Sequence, residues 1–113
     1  MARKTPIKNL VIEKGETFRF RFTRKINGVL FPFSGYTARM KARTGYGDTV
    51  VIDIDTSDGG ITLGTGTIDI LLTATETAAL PSGNLVYDLE IINGSDVLKF
   101  IKGTIIVNNE VTV

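Results

Sequence analysis

Alternation of period two is the feature that most constrains what this chain can fold into. Phe18, Phe20 and Phe22 alternate with Arg19, Arg21 and Thr23, the pattern of a strand with one face buried and one face wet. Ala38, Met40 and Ala42 alternate likewise with Arg39, Lys41 and Arg43, and Val50, Ile52 and Ile54 with Val51, Asp53 and Asp55. Ile68, Ile70 and Leu72 flank Asp69, and Tyr87, Leu89 and Ile91 interleave with Asp88 and Glu90. These segments predict five half-buried strands. Residues 97–101 and 104–107 are more continuously apolar, as expected of central strands or of a face that packs on something else.

Turn chemistry falls between these runs: Asn27-Gly28, Gly45 to Asp48, Ser57 to Gly60, Gly64 to Gly66, and Asn93-Gly94. The two Asn-Gly pairs predict type I′ hairpins, which need positive φ at both central residues. Many short strands at this spacing read as an antiparallel sandwich or barrel. One segment departs from the period. Thr73-Ala74-Thr75-Glu76 fits a capping box, and Pro81-Ser82-Gly83 ends the helical stretch beyond it, so a short connecting helix is predicted over residues 73–80. With 113 residues the chain holds one hydrophobic core. We expect a mobile N-terminal arm over residues 1–8 and a single β domain over residues 9–113.

Composition narrows the function classes. Thirteen basic and twelve acidic residues leave a formal charge of +1, so no strong global field draws the chain to nucleic acid or to an anionic membrane. Neither partner is expected. The sequence contains no cysteine and no histidine, which removes thiolate sites, the commonest metal ligand and the commonest general acid or base. No enzyme, metal or cofactor is expected. No segment reaches the roughly 18 apolar residues of a membrane helix, and synthesis in the cytoplasm is the expectation.

Individual candidate sites mostly have plainer explanations. Arg19, Arg21, Arg39, Lys41 and Arg43 suggest a basic stripe, but Asp53, Asp55, Asp69, Asp88 and Glu90 occupy outward positions on other strands, so cross-strand ion pairs are the favoured reading. The run from Asp53 to Gly59 resembles a calcium loop until its sixth and twelfth positions are read; these hold Asp58 and Gly64 rather than glycine and glutamate, and a turn of Asp side chains bonding their own backbone is simpler. Val51, Val86 and Ile92 lie out of phase with the inward residues of their strands and are the candidate assembly surface. Phe31, Phe33, Tyr36 and Tyr46 fall in connections and are candidate loop contacts; the favoured role for Phe31, Phe33 and Tyr36 is to plug one end of the fold.

The order of the segments carries a resemblance. Glu13-Lys14-Gly15-Glu16-Thr17-Phe18, then Pro32-Phe33-Ser34-Gly35-Tyr36-Thr37-Ala38, then Gly59-Gly60-Ile61-Thr62-Leu63 and Leu72-Thr73-Ala74-Thr75-Glu76-Thr77-Ala78-Ala79-Leu80, and finally Tyr87-Asp88-Leu89-Glu90-Ile91 and Lys102-Gly103-Thr104-Ile105 resemble a widespread domain of tailed-bacteriophage virions. That family is similar to the N-terminal domain of siphophage upper baseplate proteins. The resemblance implies an antiparallel immunoglobulin-like β-sandwich and a virion structural protein of the tail or baseplate, or an adaptor, acting through contacts with itself as a homo-oligomer and with other virion proteins. A capsid decoration (cement) protein is the alternative within that class. A carbohydrate-binding module for host-surface glycans, using Tyr36 and Tyr46, is the alternative outside it.

Overall fold

A computed structural model describes residues 5–44 and 49–109. The described residues form ten strands and one helical turn: β1 (Leu10–Glu13), β2 (Phe18–Thr23), β3 (Lys25–Ile26), β4 (Val29–Leu30), β5 (Thr37–Thr44), β6 (Val50–Asp55), β7 (Ile61–Gly64), β8 (Thr67–Leu72), α1 (Ala74–Ala78), β9 (Gly83–Asn93) and β10 (Asp96–Asn108). They make a five-stranded sheet in the order β1-β10-β9-β5-β6, a three-stranded sheet in the order β2-β8-β7, and the separate hairpin β3-β4. The chain is an all-β sandwich with one short connecting helix.

The alternation places the core. From the large sheet come Leu10, Ile12, Met40, Ile54, Leu85, Tyr87, Leu89, Ile91 and Ile105, and from the small sheet Phe22, Ile61, Ile68, Ile70 and Leu72, all in one buried cluster. Every strand pairing is antiparallel except one: β1 runs parallel to β10, with Leu10 opposite Ile105 and Val11 opposite Ile106. The sandwich is thus antiparallel as expected, with one parallel pairing added at this edge among the described residues.

The structure also explains why residues 97–107 obscure their period. They belong to one strand, β10, whose register against β9 shifts between Lys99 and Ile101. A β-bulge puts one extra residue on one strand, and Phe100 and Ile101 are consequently both buried. The first Asn-Gly pair behaves as expected, with positive φ at Asn27 and Gly28 (52° and 80°). At the second, Asn93 pairs with Asp96, so the central residues are Gly94 and Ser95. Only Gly94, at φ 64°, is positive, which is the φ pattern of a type II′ turn rather than type I′.

Thr73 closes the predicted capping box. Its hydroxyl accepts from the Glu76 N–H at 3.1 Å, and its own N–H donates to Glu76 Oε1 at 2.8 Å. The aspartate turn is equally local: Ser57 and Asp58 N–H groups donate to Asp55 Oδ1 at 2.8 and 3.0 Å, and Gly60 N–H donates to Asp58 Oδ1 at 2.8 Å.

The second half of the expected arm is docked. Lys8 N–H donates to the Lys102 carbonyl at 2.9 Å, Lys102 N–H donates to the Pro6 carbonyl at 3.1 Å, and Ile7 bridges Lys102 in parallel register. The Tyr87 hydroxyl reaches out of the core to donate to the Lys8 carbonyl at 2.6 Å. Residues 6–8 thus extend the line of β1 along β10, because the backbone groups of β10 would otherwise lack partners on that side.

Candidate functional site

Register turns the outward residues of the large sheet into rows. In one row Lys102 of β10 stands opposite Asp88 of β9, which stands opposite Lys41 of β5, which stands opposite Asp53 of β6. The next row reads Lys99, Glu90, Arg39, Asp55 across the same four strands. Each strand carries one sign, and the signs alternate. Arg39 Nε lies 2.8 Å from Glu90 Oε1, Lys99 Nζ 2.7 Å from Glu90 Oε2, and Lys99 Nζ 3.4 Å from Asp88 Oδ2. The favoured cross-strand pairing is therefore realised here, and also on the small sheet, where Arg21 Nε meets Asp69 Oδ1 at 2.6 Å.

Glu90 is the focus of the ladder and is only 7% exposed. Hydrogen bonding from Lys99 holds its carboxyl below the ordinary range and that from Arg39 adds to this, overcoming the cost of burial. A carboxylate whose pKa is lower folded than unfolded stabilises the fold above its unfolded value, and that contribution is lost as pH falls through the folded value. The wild-type chain is therefore expected to lose stability below about pH 4.3 more steeply than Glu90→Gln, as denaturant unfolding at a series of acid pH values would measure. Parallel curves for the two chains would mean that the ladder contributes nothing through Glu90. Alkali acts elsewhere: burial pushes the Tyr87 phenol up to about 12.

Aliphatic residues flank the charged rows. Val11, directly opposite Ile106, and Val86, diagonal to Ile106 on the next strand, are 52%, 41% and 54% exposed. Ile7 and Val86 line a groove of about 440 Å³ together with Lys102 and Thr104. At the other end of the face Val97 stands opposite Ile92, and Ile92 is half-buried. Of the three candidate assembly residues, Val86 and Ile92 thus share one outer face at opposite ends of it. Val51 stands apart on the edge strand β6, half-buried and packed against the core, in a cleft shared with Leu72, Glu76 and Leu80. Its phase suggests solvent, but it is half-buried beside the segment around α1. Val11 and Ile106 were missed by reading each strand alone, since only the parallel pairing of β1 brings them together.

The connection between β4 and β5 holds the aromatic candidates. Phe33 is buried at 3% exposure, while Phe31 and Tyr36 are half-buried. Their rings meet edge to face, with centroids 5.0 Å apart for Phe31 and Phe33 and 5.6 Å for Phe31 and Tyr36. The Arg24 guanidinium sits 5.0 Å from the Phe31 ring centroid and 5.7 Å from that of Phe100. Phe31 and Tyr36 also wall a cleft of about 340 Å³ whose polar side chains are Asn93 and Asp96. Phe33 thus belongs to the core, while Phe31 and Tyr36 pack against it and stay partly exposed. Tyr46 lies outside the described residues. Among the described residues no group of three or more His, Cys, Asp or Glu is placed to hold a metal ion, and no helix is long and apolar enough to cross a membrane.

No family model and no curated protein matches the chain. Among solved structures it is similar to the extracellular domain of the voltage-gated sodium channel beta4 subunit, described as forming parallel homodimers that explain its role in cell-cell adhesion, at 15% identity and a TM-score of 0.49 over 100% of this chain and 98% of that one.

Proposed function

We propose that this chain is a bacteriophage virion structural protein, a tail, baseplate or adaptor component that acts through protein-protein contacts rather than catalysis. The observation that carries the protein-contact reading is the aliphatic strip Val11-Ile106-Val86 crossing three adjacent strands beside the charged rows of the same face. Isolated surface aliphatics are ordinary, whereas contiguous ones mark contact surfaces. The virion assignment rests on the ordered sequence motifs between Glu13 and Ile105. Two of their residues have structural work that a solvated loop residue lacks: Thr77 is fully buried, and Gly103 lies under the Lys8 carbonyl.

Antibody labelling of purified phage particles from the source genome is the test, and discrete label at tail tip, neck or capsid is the expected result. Label on the capsid would favour the decoration protein over the tail component. Particles free of the protein would sink the reading. Val86→Lys refines the test. Because Val86 is exposed, unfolding free energy should stay within about 0.5 kcal/mol of wild type while incorporation into particles falls; a variant that unfolds would instead make Val86 part of the fold's own packing.

A carbohydrate-binding module for host-surface glycans is favoured by one observation, the cleft between Phe31, Tyr36, Asn93 and Asp96. Aromatic edges beside amide and carboxylate groups suit sugar rings and hydroxyls. Binding on a glycan array that disappears in Tyr36→Ala is the outcome this second reading expects, and a blank array counts against it.

A further inference from the structure

We propose that a second copy of this chain docks face to face on the outer surface of the large sheet, related by a two-fold axis that runs along the strands between β9 and β5. The proposal takes from the functional reading only that this face makes a protein contact, and adds the identity of the partner. Its basis is the sign of each strand. On the outer face β10 is cationic, β9 anionic, β5 cationic and β6 anionic across both charged rows.

A face-to-face dimer of one chain has few ways to arrange such a pattern. An in-plane axis parallel to the strands and midway between β9 and β5 sets β9 over β5 of the copy and β10 over β6 of the copy, with every row kept level. Asp88 then lies over Lys41 of the copy and Glu90 over Arg39 of the copy, each contact occurring twice, and the outer strands match in the same sense. An in-plane axis across the strands, midway between the rows, sets each strand over itself, so Asp88 meets Glu90 and Lys41 meets Arg39. An axis through β9 stacks its carboxylates on each other. Like charges brought together in this way are repulsive, and of these arrangements the first alone matches all four strands. Packed sheets are turned by about 30°, which displaces strands about 7 Å from the axis by roughly 4 Å, within the reach of lysine and arginine side chains.

The same-chain ion pairs already neutralise much of this face, so the contact gains its strength from replacing water by fixed opposite charge. Such an interface is salt-sensitive. Ion pairing across it operates over a Debye length of about 10 Å at 0.1 M salt and about 3 Å at 1 M.

Sedimentation velocity on the whole chain tests the proposal. The wild type is expected to be a dimer at about 0.05 M salt and to dissociate toward monomer at about 1 M. Lys41→Glu and Asp88→Lys, each alone, place like charges together twice across the axis and should weaken association by about 10-fold or more. Mixing the two variants in equal amounts restores both facing pairs and should restore a 1:1 dimer. Arg21→Glu, on the small sheet, should leave the wild-type behaviour unchanged. For a check that needs no variant, mixed isotope-labelled and unlabelled wild-type chains treated with a zero-length carbodiimide should yield a Lys41–Asp88 link joining a labelled to an unlabelled peptide. A wild type that stays monomeric at low salt overturns the proposal. So does a dimer indifferent to both variants, a mixture of folded variants that does not recover, or a Lys41–Asp88 link formed only within single chains. Particle labelling is independent of these readouts: a monomer found on virions sinks the dimer alone, and a dimer absent from virions sinks the virion reading alone.

Discussion

Gly103→Ala is expected to cost about 2–4 kcal/mol of unfolding free energy, an unusually large loss for one added methyl group. A Cβ built at this position overlaps the Lys8 carbonyl oxygen and lies 2.8 Å from its carbon. Those are backbone atoms, so no side-chain rotation relieves the overlap. The segment Pro6–Lys8 must lift away, and three hydrogen bonds go with it: Lys8 N–H to Lys102, Lys102 N–H to Pro6, and the Tyr87 hydroxyl to Lys8. At about 0.5–1.5 kcal/mol each, their sum exceeds the few tenths to one kcal/mol that alanine gains by restricting the unfolded chain. Urea unfolding measures the total. Two local readouts separate this cause from general damage: amide exchange at Lys8 and Lys102 should accelerate, and the Tyr87 phenol should titrate below about 12 once it is uncovered. A variant as stable as wild type, with unchanged exchange at those amides, would show that the N-terminal segment tolerates displacement.

Raising the pH reaches the same contact. Because the folded phenol titrates above the ordinary tyrosine value near 10, its contribution is complete below that value and is lost as pH climbs through the folded one.

Thr77→Val is expected to lose about 2 kcal/mol, which for a domain of this size lowers Tm by about 8 °C or more. Valine keeps the shape of the side chain and deletes its hydroxyl. That hydroxyl accepts from the Gly15 N–H at 3.1 Å and donates to the Glu16 carbonyl at 2.8 Å, with the Ala74 carbonyl at 3.1 Å sharing the proton. Thr77 is 0% exposed, so water cannot replace the lost partner at the buried end of these bonds, and an unsatisfied buried group costs about 1–3 kcal/mol. Thr77→Ser retains the hydroxyl and should lose distinctly less. If serine proves the worse of the two, the methyl group and not the hydroxyl is what holds α1 against the turn between β1 and β2.

How much of this was legible in the sequence depends on the range of each interaction. The five strands read from alternation, the Asn27-Gly28 turn and the Thr73–Glu76 capping box were all visible, because each depends on residues within a few positions of one another. β1, β7 and the β3-β4 hairpin span four residues or fewer per strand, too short for a period to register, and the bulge in β10 erased the phase of a strand that was otherwise long enough. The candidate assembly surface was half legible. The outward phase of Val86 and Ile92 is readable from the strand alone, but the half-burial of Val51 is not, and the adjacency of Val11 and Ile106 needed the parallel pairing of β1.

The sequence alone determined that this chain makes strands with one wet and one dry face, where the sharpest turns and the single helical cap fall, and that charges of both signs line the wet face. Tertiary structure alone decided which strands are neighbours, and so that the charges form rows of alternating sign, that Gly103 lies against the Lys8 carbonyl and that the Thr77 hydroxyl joins Gly15 and Glu16. The Tyr87 and Thr77 contacts join residues 79 and 62 positions apart. Local propensity extends over a turn or a strand, while contacts of that span exist only after apolar burial has brought the two sheets together.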